Sequence, residues 1–233
     1  TFTSINDYKN YQTKQQNNNN KWIIKENLSW GGENIKVFDN NEQLNEYLLK
    51  NNPKSFIIQQ YIKNPLLLEK YYKFDLRLFI LLCDEGSFLC DIFLVRVCPE
   101  KYNLDNINNI KQHLTNVHLH GENKFTSRQF SSVPELHYLK DKLINFCHKY
   151  LGQFLNSHYN SIDEKIRSYH LLGIDLILDQ NEKIWLLEIN DNAGGDSSIE
   201  SYLAQIMARA TISTIKPLKK PHDIFIELKE PIL

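Results

Sequence analysis

Short apolar runs separated by polar, turn-forming residues organise this chain. Trp22-Ile23-Ile24 is an apolar triplet that predicts a strand, with Lys25 directly behind it. Asn27-Leu28-Ser29-Trp30-Gly31-Gly32-Glu33-Asn34 is rich in turn formers and predicts a loop. Ile35 to Phe38 predicts a second strand. Over Asn41 to Lys50, the apolar residues Leu44, Tyr47, Leu48 and Leu49 predict an amphipathic helix. Phe56-Ile57-Ile58, inside Ser55 to Gln59, predicts a third strand buried on both faces. Residues 21–60 thus read as a small α/β lobe, and the polar residues 1–20 as a poorly packed, partly disordered lead-in.

A larger lobe is expected over 61–217. Phe74 to Cys83 and Ser87 to Val97 are long β-rich runs joined by the turn Asp84-Glu85-Gly86. Residues 99–132 are irregular and Asn-rich. Leu136, Leu139, Leu143, Phe146, Tyr150 and Leu151 give a helical period between Pro134 and Ser157. Leu171 to Leu178 and Lys183 to Asn190 predict a second hairpin across Asp179-Gln180-Asn181-Glu182. Ile199 to Ile215 predicts a helix capped by Ser197 or Ser198 and stopped by Pro217. Residues 218–233 read as a docked tail.

Charge narrows the function classes. The chain has 233 residues, with 27 Lys+Arg against 28 Asp+Glu and a net charge of -1. No long-range positive field is available to attract nucleic acid or an anionic membrane. No apolar run approaches the ~20 residues of a membrane span. Cys83, Cys90, Cys98 and Cys147 form no CxxC pair and read as buried thiols of a reducing compartment. His113, His118 and His120 have no partners at zinc spacing and read as ordinary loop and strand histidines.

The chemistry concentrates in the second hairpin. Leu171-Leu172-Gly173-Ile174-Asp175-Leu176-Ile177-Leu178 is almost wholly apolar yet contains Asp175, and Ile184-Trp185-Leu186-Leu187-Glu188-Ile189-Asn190 contains Glu188 and Asn190. A carboxylate in a buried strand is costly unless compensated. Glu188 and Asn190 are two apart and share a strand face. In a simple register Asp175 can join them, and two carboxylates with an amide oxygen suit Mg²⁺ and phosphate. The alternative is that Asp175 and Glu188 each pair with a buried arginine. Opposite charge comes from Lys73-Phe74-Asp75-Leu76-Arg77, whose period of two puts Lys73, Asp75 and Arg77 on one face, and from Arg96 within Leu94-Val95-Arg96-Val97. A solvated edge strand also explains Lys-x-Asp-x-Arg, but not Arg96 or Lys25. The Gly31-Gly32 loop is neither a Walker loop nor a dinucleotide fingerprint.

Taken in order, several blocks resemble one family. They are Trp22-Ile23-Ile24-Lys25, Gly32-Glu33-Asn34-Ile35, Gln59-Gln60-Tyr61-Ile62-Lys63-Asn64-Pro65-Leu66-Leu67-Leu68, Lys73-Phe74-Asp75-Leu76-Arg77 and Arg96. His113-Leu114-Thr115-Asn116, Leu172-Gly173-Ile174-Asp175 and Trp185-Leu186-Leu187-Glu188-Ile189-Asn190 complete the series. Over roughly residues 20–217 the chain is similar to the tubulin–tyrosine ligase and ligase-like family. The resemblance implies an α+β, ATP-grasp fold: two α/β lobes with the nucleotide between them and a mostly antiparallel sheet in the larger. It also implies that the family's N-terminal domain is absent here.

The resemblance implies roles as well. Lys25 is similar to the lysine that contacts phosphate. Gln59, Gln60, Tyr61 and Ile62 resemble the hinge that holds adenine, partly through backbone groups. Lys73 and Asp75 resemble base- and ribose-side contacts, and Thr115 and Asn116 residues beside the phosphates. Arg77 and Arg96 resemble arginines that face the γ-phosphate and the activated carboxylate. Asp175, Glu188 and Asn190 match magnesium ligands, and Glu188 is counted with Arg77 and Arg96 as catalytic.

The implied activity is an ATP- and Mg²⁺-dependent ligase that joins a free amino acid (Tyr, Glu or Gly) to a protein carboxylate through an acyl phosphate. The implied acceptor is a tubulin C-terminal tail or another acidic peptide, in the cytoplasm and in association with microtubules. Two other readings stay open: a catalytically weak nucleotide- or tubulin-binding pseudoenzyme, and an ATP-grasp ligase with a non-tubulin substrate. The chain departs from the family at two points. Gly32-Glu33-Asn34 stands where the family has Gly-x-Gly, and Asn tolerates a left-handed backbone. Asp191-Asn192-Ala193-Gly194-Gly195 lacks the proline that often follows the last asparagine.

Overall fold

Trp22 and Ile24 alternate with Ile23 and Lys25 along β1 (Trp22–Glu26), and this alternation decides which face of the first sheet is filled. The computed structural model describes residues 1–14, 20–26, 34–84, 86–116, 127–161, 169–191 and 224–228. Packing divides the chain into two units, Thr1–Lys73 with Cys98–Asn123, and Phe74–Val97 with Lys124–Leu233.

In the first unit, β1 lies between β2 (Ile35–Phe38) and β3 (Phe56–Gln60) in an antiparallel sheet. Ile24 pairs with Ile58, and Trp22, Ile24, Phe56 and Ile58 form one apolar face. Leu44 and Leu48 of α2 (Asn41–Asn51) and Tyr8 of α1 (Ile5–Lys14) pack in the same core. Asn40 caps α2 by accepting from the Gln43 N–H at 2.9 Å. β3 was expected to be buried on both faces, but Ile57 is only half-buried. The reason is that both helices lie on one side of the sheet.

The polar lead-in expected over 1–20 contains α1. Ser4 caps α1: its hydroxyl accepts from the Asp7 N–H at 3.1 Å and donates to the Asp7 carboxylate at 2.7 Å. Tyr8 is fully buried with its ring edge-on to Trp22, and Phe2 bridges to Ile58. Also in this unit are β4 (Leu67–Leu68), paired with the first residues of β5 (Tyr72–Cys83), and α3 (Ile110–His113). Asn34 has φ 61°, the left-handed conformation expected of it in place of glycine.

In the second unit, β5 pairs on one edge with β9 (His170–Leu178) and on the other with β6 (Gly86–Cys90) and β7 (Leu94–Val97). The single strand expected over Ser87 to Val97 is therefore interrupted at 91–93. There the Asp91 N–H bonds to the Ile224 carbonyl at 2.6 Å, and its carboxylate meets Lys140 at 2.8 Å. β8 (Ser127–Gln129) extends β7, and β10 (Ile184–Asn190) pairs with β9. β11 (Phe225–Glu227) pairs with β6 and places part of the expected tail on the sheet. Among the described residues every pairing is antiparallel.

The helix expected between Pro134 and Ser157 is a rod of four parts. These are a 3-10 stretch Pro134–Leu139, α4 (Lys140–Phe146), a π-helical turn Cys147–Gly152 and α5 (Gln153–Asn160). From Leu139 onward its buried side chains, Leu139, Leu143, Cys147, Leu151, Leu155 and Tyr159, recur every fourth residue. A four-residue step overshoots an α-helical turn by about 40°, so the stripe would drift around the rod. The wider π turn brings it back. At Gly152 a Cβ would lie 3.1 Å from that of Leu228, so glycine permits this close approach. Tyr150, counted on the apolar stripe from sequence, is exposed. All four cysteines are buried thiols. Among the described residues no helix is long and apolar enough to cross a membrane. The helix expected over Ile199 to Ile215 lies outside the described residues.

Candidate functional site

Ions in apolar strands gather on one face of the larger sheet. Arg77 of β5 pairs across to Asp175 of β9, which pairs across to Glu188 of β10. Asp75, two residues from Arg77, pairs with Arg96 of β7. Directly opposed residues point to the same side of a sheet, so these side chains form one polar row. The Asp175 carboxylate accepts from Arg77 Nε, from Arg77 Nη2 at 3.1 Å and from Arg96 Nη2 at 2.9 Å. Arg96 also grips Asp75 with both arms of its fork, at 2.6 and 2.8 Å. Asp75, Arg96 and Asp175 are buried.

The electrostatics follow from that geometry. Burial alone would raise the pKa of Asp175. The Arg96 and Arg77 guanidiniums outweigh it and hold the carboxyl below the ordinary carboxylate range. Burial would lower Arg96, but Asp75 and Asp175 raise it. The alternative in which a buried arginine compensates the carboxylate is thus the arrangement found for Asp175. Asp75, expected beside base or ribose, has both oxygens engaged by Arg96.

Glu188 reaches this face only through an irregularity. From the turn outward, Ile184 pairs with Leu178, Trp185 with Ile177 and Leu186 with Leu176. A simple register would continue with Leu187 opposite Asp175 and would put Glu188 opposite Ile174, on the other face. Instead the register shifts between Leu186 and Glu188, with Leu187 as the extra residue. Glu188 then opposes Asp175, and Asn190 opposes Gly173. The Asn190 amide donates to Glu188 at 3.2 Å, and both residues are half-buried.

Gly173 supplies the space for Arg77. A Cβ there would meet Arg77 Nη1 at 3.1 Å and Cδ at 3.3 Å, so the Arg77 side chain lies close against this glycine. On the opposite flank Ser127 pairs with Arg96, and its buried hydroxyl has no hydrogen-bond partner among the described residues.

The first unit holds the remaining candidates. Lys25 pairs with Ile57, and Gln59 with Ile23, so Lys25 and Gln59 share the sheet face turned away from the helices. Gln60 points to the other face, where its amide donates to Asn20 at 2.9 Å. Tyr61 and Lys73 are buried, and Ile62 is half-buried. The Lys73 ammonium donates to the Tyr61 hydroxyl at 2.9 Å and to the His113 carbonyl at 2.7 Å. The Tyr61 hydroxyl lies 2.8 Å from His113 Nδ1. Thr115, just after α3, is buried, and Asn116 is half-buried.

The structure thus gathers Asp75, Arg77, Arg96, Asp175, Glu188 and Asn190 in one row. Lys73 and Tyr61 form a second group, and Lys25 and Gln59 share a third surface. Sequence reasoning passed over His113, Gly173 and the Leu187 bulge as functional elements. Gly173 carried a signal, because glycine inside an apolar strand often marks a close approach. His118, His120 and residues 192–195 lie outside the described residues.

A divalent cation is the ligand implied for the Glu188 face. Among the described residues no three of His, Cys, Asp and Glu cluster as a metal site, so the set rests on two carboxylates and the Asn190 amide. Glu188 and Asn190 fit a hard cation by donor type and by their contact. Asp175 fits less well. An ionised carboxylate offers about four acceptor positions, and guanidinium bonds take most of these. Joining a cation shell would cost Asp175 part of its grip on the arginines.

Comparison with known proteins agrees with the sequence blocks. A family model described as "Tubulin-tyrosine ligase family" matches residues 1–221. The chain is 26% identical over 215 residues to tubulin glycylase 3B of Tetrahymena thermophila, covering 84% of this chain and 18% of that protein. It is 29% identical over 209 residues to tubulin glycylase 3E of the same organism, covering 77% and 14%. With the probable tubulin polyglutamylase TTLL2 of Homo sapiens it shares 28% identity over 217 residues, covering 82% and 35%. The chain spans about a third or less of the length of these relatives.

Proposed function

Because the chain belongs to the tubulin-tyrosine ligase family, with its ATP-grasp-like fold, we propose that it is the ligase core of an ATP-dependent enzyme that joins an amino acid to a protein carboxylate. The observation that carries this reading is the row Arg77–Asp175–Glu188 with Arg96 and Asn190 beside it. Such a row puts fixed positive charge next to hard oxygen donors, which is what phosphoryl transfer to a carboxylate requires.

The γ-phosphoryl group of ATP passes to the acceptor carboxylate, breaking the β–γ bridge and giving an acyl phosphate and ADP. The amine of an amino acid then attacks the acyl carbon, inorganic phosphate leaves, and the amide loses a proton to solvent. Arg77 and Arg96 stabilise charge at the transferring group. Asp175 holds both guanidiniums in place. Lys25 and Gln59 serve the nucleotide from their shared sheet face, Tyr61, Ile62 and Lys73 from the base side, and Thr115 and Asn116 beside the phosphates. Glu188 and Asn190, with Asp175, would hold Mg²⁺, which when bound neutralises phosphate charge.

The names of the relatives favour glycine or glutamate as the amino acid and tubulin as the acceptor. An acidic tubulin tail in the cytoplasm, on microtubules, is the acceptor proposed. The test is ATP-dependent transfer of labelled glycine or glutamate to a tail peptide, read by mass. Glu188→Gln is expected to abolish transfer with an unchanged unfolding midpoint, and an undiminished rate refutes the assignment. A nucleotide-binding pseudoenzyme is the second reading, favoured by the engagement of Asp175 with two arginines. Binding of ATP without any turnover to ADP selects it.

A further inference from the structure

We propose that His113 is a positioning residue for the nucleotide site, holding the Lys73 ammonium through the hydroxyl of Tyr61. The inference rests on the reading above, in which Lys73 serves the base side of ATP.

The bonds fix the direction of every proton. His113 Nε2 lies 3.0 Å from the Asn106 carbonyl, which can only accept, so Nε2 carries a hydrogen. In the neutral ring Nδ1 is then an acceptor, and it takes the Tyr61 O–H at 2.8 Å. The Tyr61 oxygen, with its O–H directed at His113, is left to accept from Lys73 at 2.9 Å. The same lysine donates to the backbone carbonyl of His113 at 2.7 Å, which ties side chain and main chain of one residue into a single clamp. All three side chains are buried, so each bond is made away from water.

The surroundings keep the imidazole neutral. Burial lowers its pKa, and the Lys73 charge lowers it further against the bond to Asn106. The rings of Tyr61 and Tyr102 stand nearly perpendicular to it, at 5.8 and 5.5 Å. At longer range Lys21 lowers and Asp39 raises it, and these two form an ion pair with each other. Neutrality is what the clamp needs. A second proton turns Nδ1 into a donor, and His113 and Lys73 then aim hydrogens at one hydroxyl oxygen. The Tyr61 proton must turn away, and the ammonium, still bonded to the His113 carbonyl, shares the hydroxyl oxygen with a second donor and faces a second positive charge. A purely structural histidine would need only to fill its space. This one is required as an acceptor at Nδ1, a demand that can be measured.

The test uses the full 233-residue chain. Nitrogen NMR of labelled histidine should show His113 as the neutral Nε2–H tautomer, with its Nδ1 resonance moving in Tyr61→Phe; an Nδ1–H tautomer overturns the proposal without any variant. Titration with ATP and magnesium should show Tyr61→Phe binding about tenfold more weakly at about pH 7.5. Wild-type affinity should hold down to the ordinary histidine value, about 6.5, and fall only below it, and Tyr61→Phe should lose most of that limb. ATP affinities equal in the two proteins at each pH overturn the clamp alone. A wild-type chain that binds no ATP overturns the function proposed above and the positioning role with it.

Discussion

Lys73 and Asp75 are two residues apart on β5, yet they belong to buried networks of opposite kind. Around Asp75 the partners are ions: Arg96 bridges Asp75 and Asp175, and Arg77 adds a second fork. Around Lys73 the acceptors include a neutral tyrosine hydroxyl and a backbone carbonyl. The ionic network is held by Coulomb attraction at low dielectric, with the Asp175 carboxyl held below and the Arg96 guanidinium above their ordinary ranges. The hydrogen-bond clamp depends on the tautomer of one imidazole, whose pKa burial holds below the ordinary histidine value, and so responds to acid. The same strand thus carries one cation site built to be constant and another built to be sensitive.

The largest expected effect comes from removing the shared anion. Asp175→Asn leaves both guanidiniums facing an amide, and breaking a buried pair on one side costs about 3–5 kcal/mol. Urea unfolding should show that loss, and ligation should disappear with it. If Asp175→Asn costs no more than Tyr61→Phe, the contrast between the networks fails. The tyrosine variant removes a neutral hydroxyl and should cost about 1 kcal/mol.

Acid should separate the networks further. Asp175 has a folded-state pKa depressed below its unfolded value. Its stabilisation is therefore fully present above the unfolded pKa, about 4, and is lost as pH falls from there through the folded value. Wild-type stability should drop below about pH 4, and Asp175→Asn should lack most of this drop. A variant with the same acid limb as wild type would assign that limb to another group.

The smallest predicted effect concerns placement alone. Gly173→Ala puts a Cβ 3.1 Å from Arg77 Nη1, against the far end of a flexible side chain. Stability should fall by about 1 kcal/mol, while the ligation rate falls further, because the guanidinium is displaced from its working position. Equal losses in the two readouts would remove Gly173 from the site.

Much of this site was legible before any coordinates. Asp175, Arg96 and Glu188 stood out because each is an ion inside an apolar strand, and the cost of burying a charge makes that pattern hard to sustain without partners. Arg77 and Asp75 were visible through the period of two in β5. The partner choice was not legible. The metal reading and the arginine reading both satisfied the burial argument, and only the cross-strand register shows Asp175 engaged by Arg77 and Arg96. α1 escaped because Ile5, Tyr8 and Tyr11 are too few for a convincing stripe, although the Ser4–Asp7 spacing carried its cap. The break at 91–93 escaped because an apolar run does not record where its pairing slips.

The sequence by itself carried the ordered blocks that resemble the family; it also carried most of the strands and the ions that had to find partners, since alternation and burial cost are local and additive. Tertiary structure alone decided that Leu187 is extra, and so that Glu188 and Asn190 face Asp175. It also decided that His113 stands behind Tyr61 and Lys73, 52 and 40 residues away along the chain. Side-chain phase in a sheet reverses with a single inserted residue. A hydrogen-bond relay exists only once distant segments are brought within 3 Å of each other. Neither property is written in the spacing of residues along one strand.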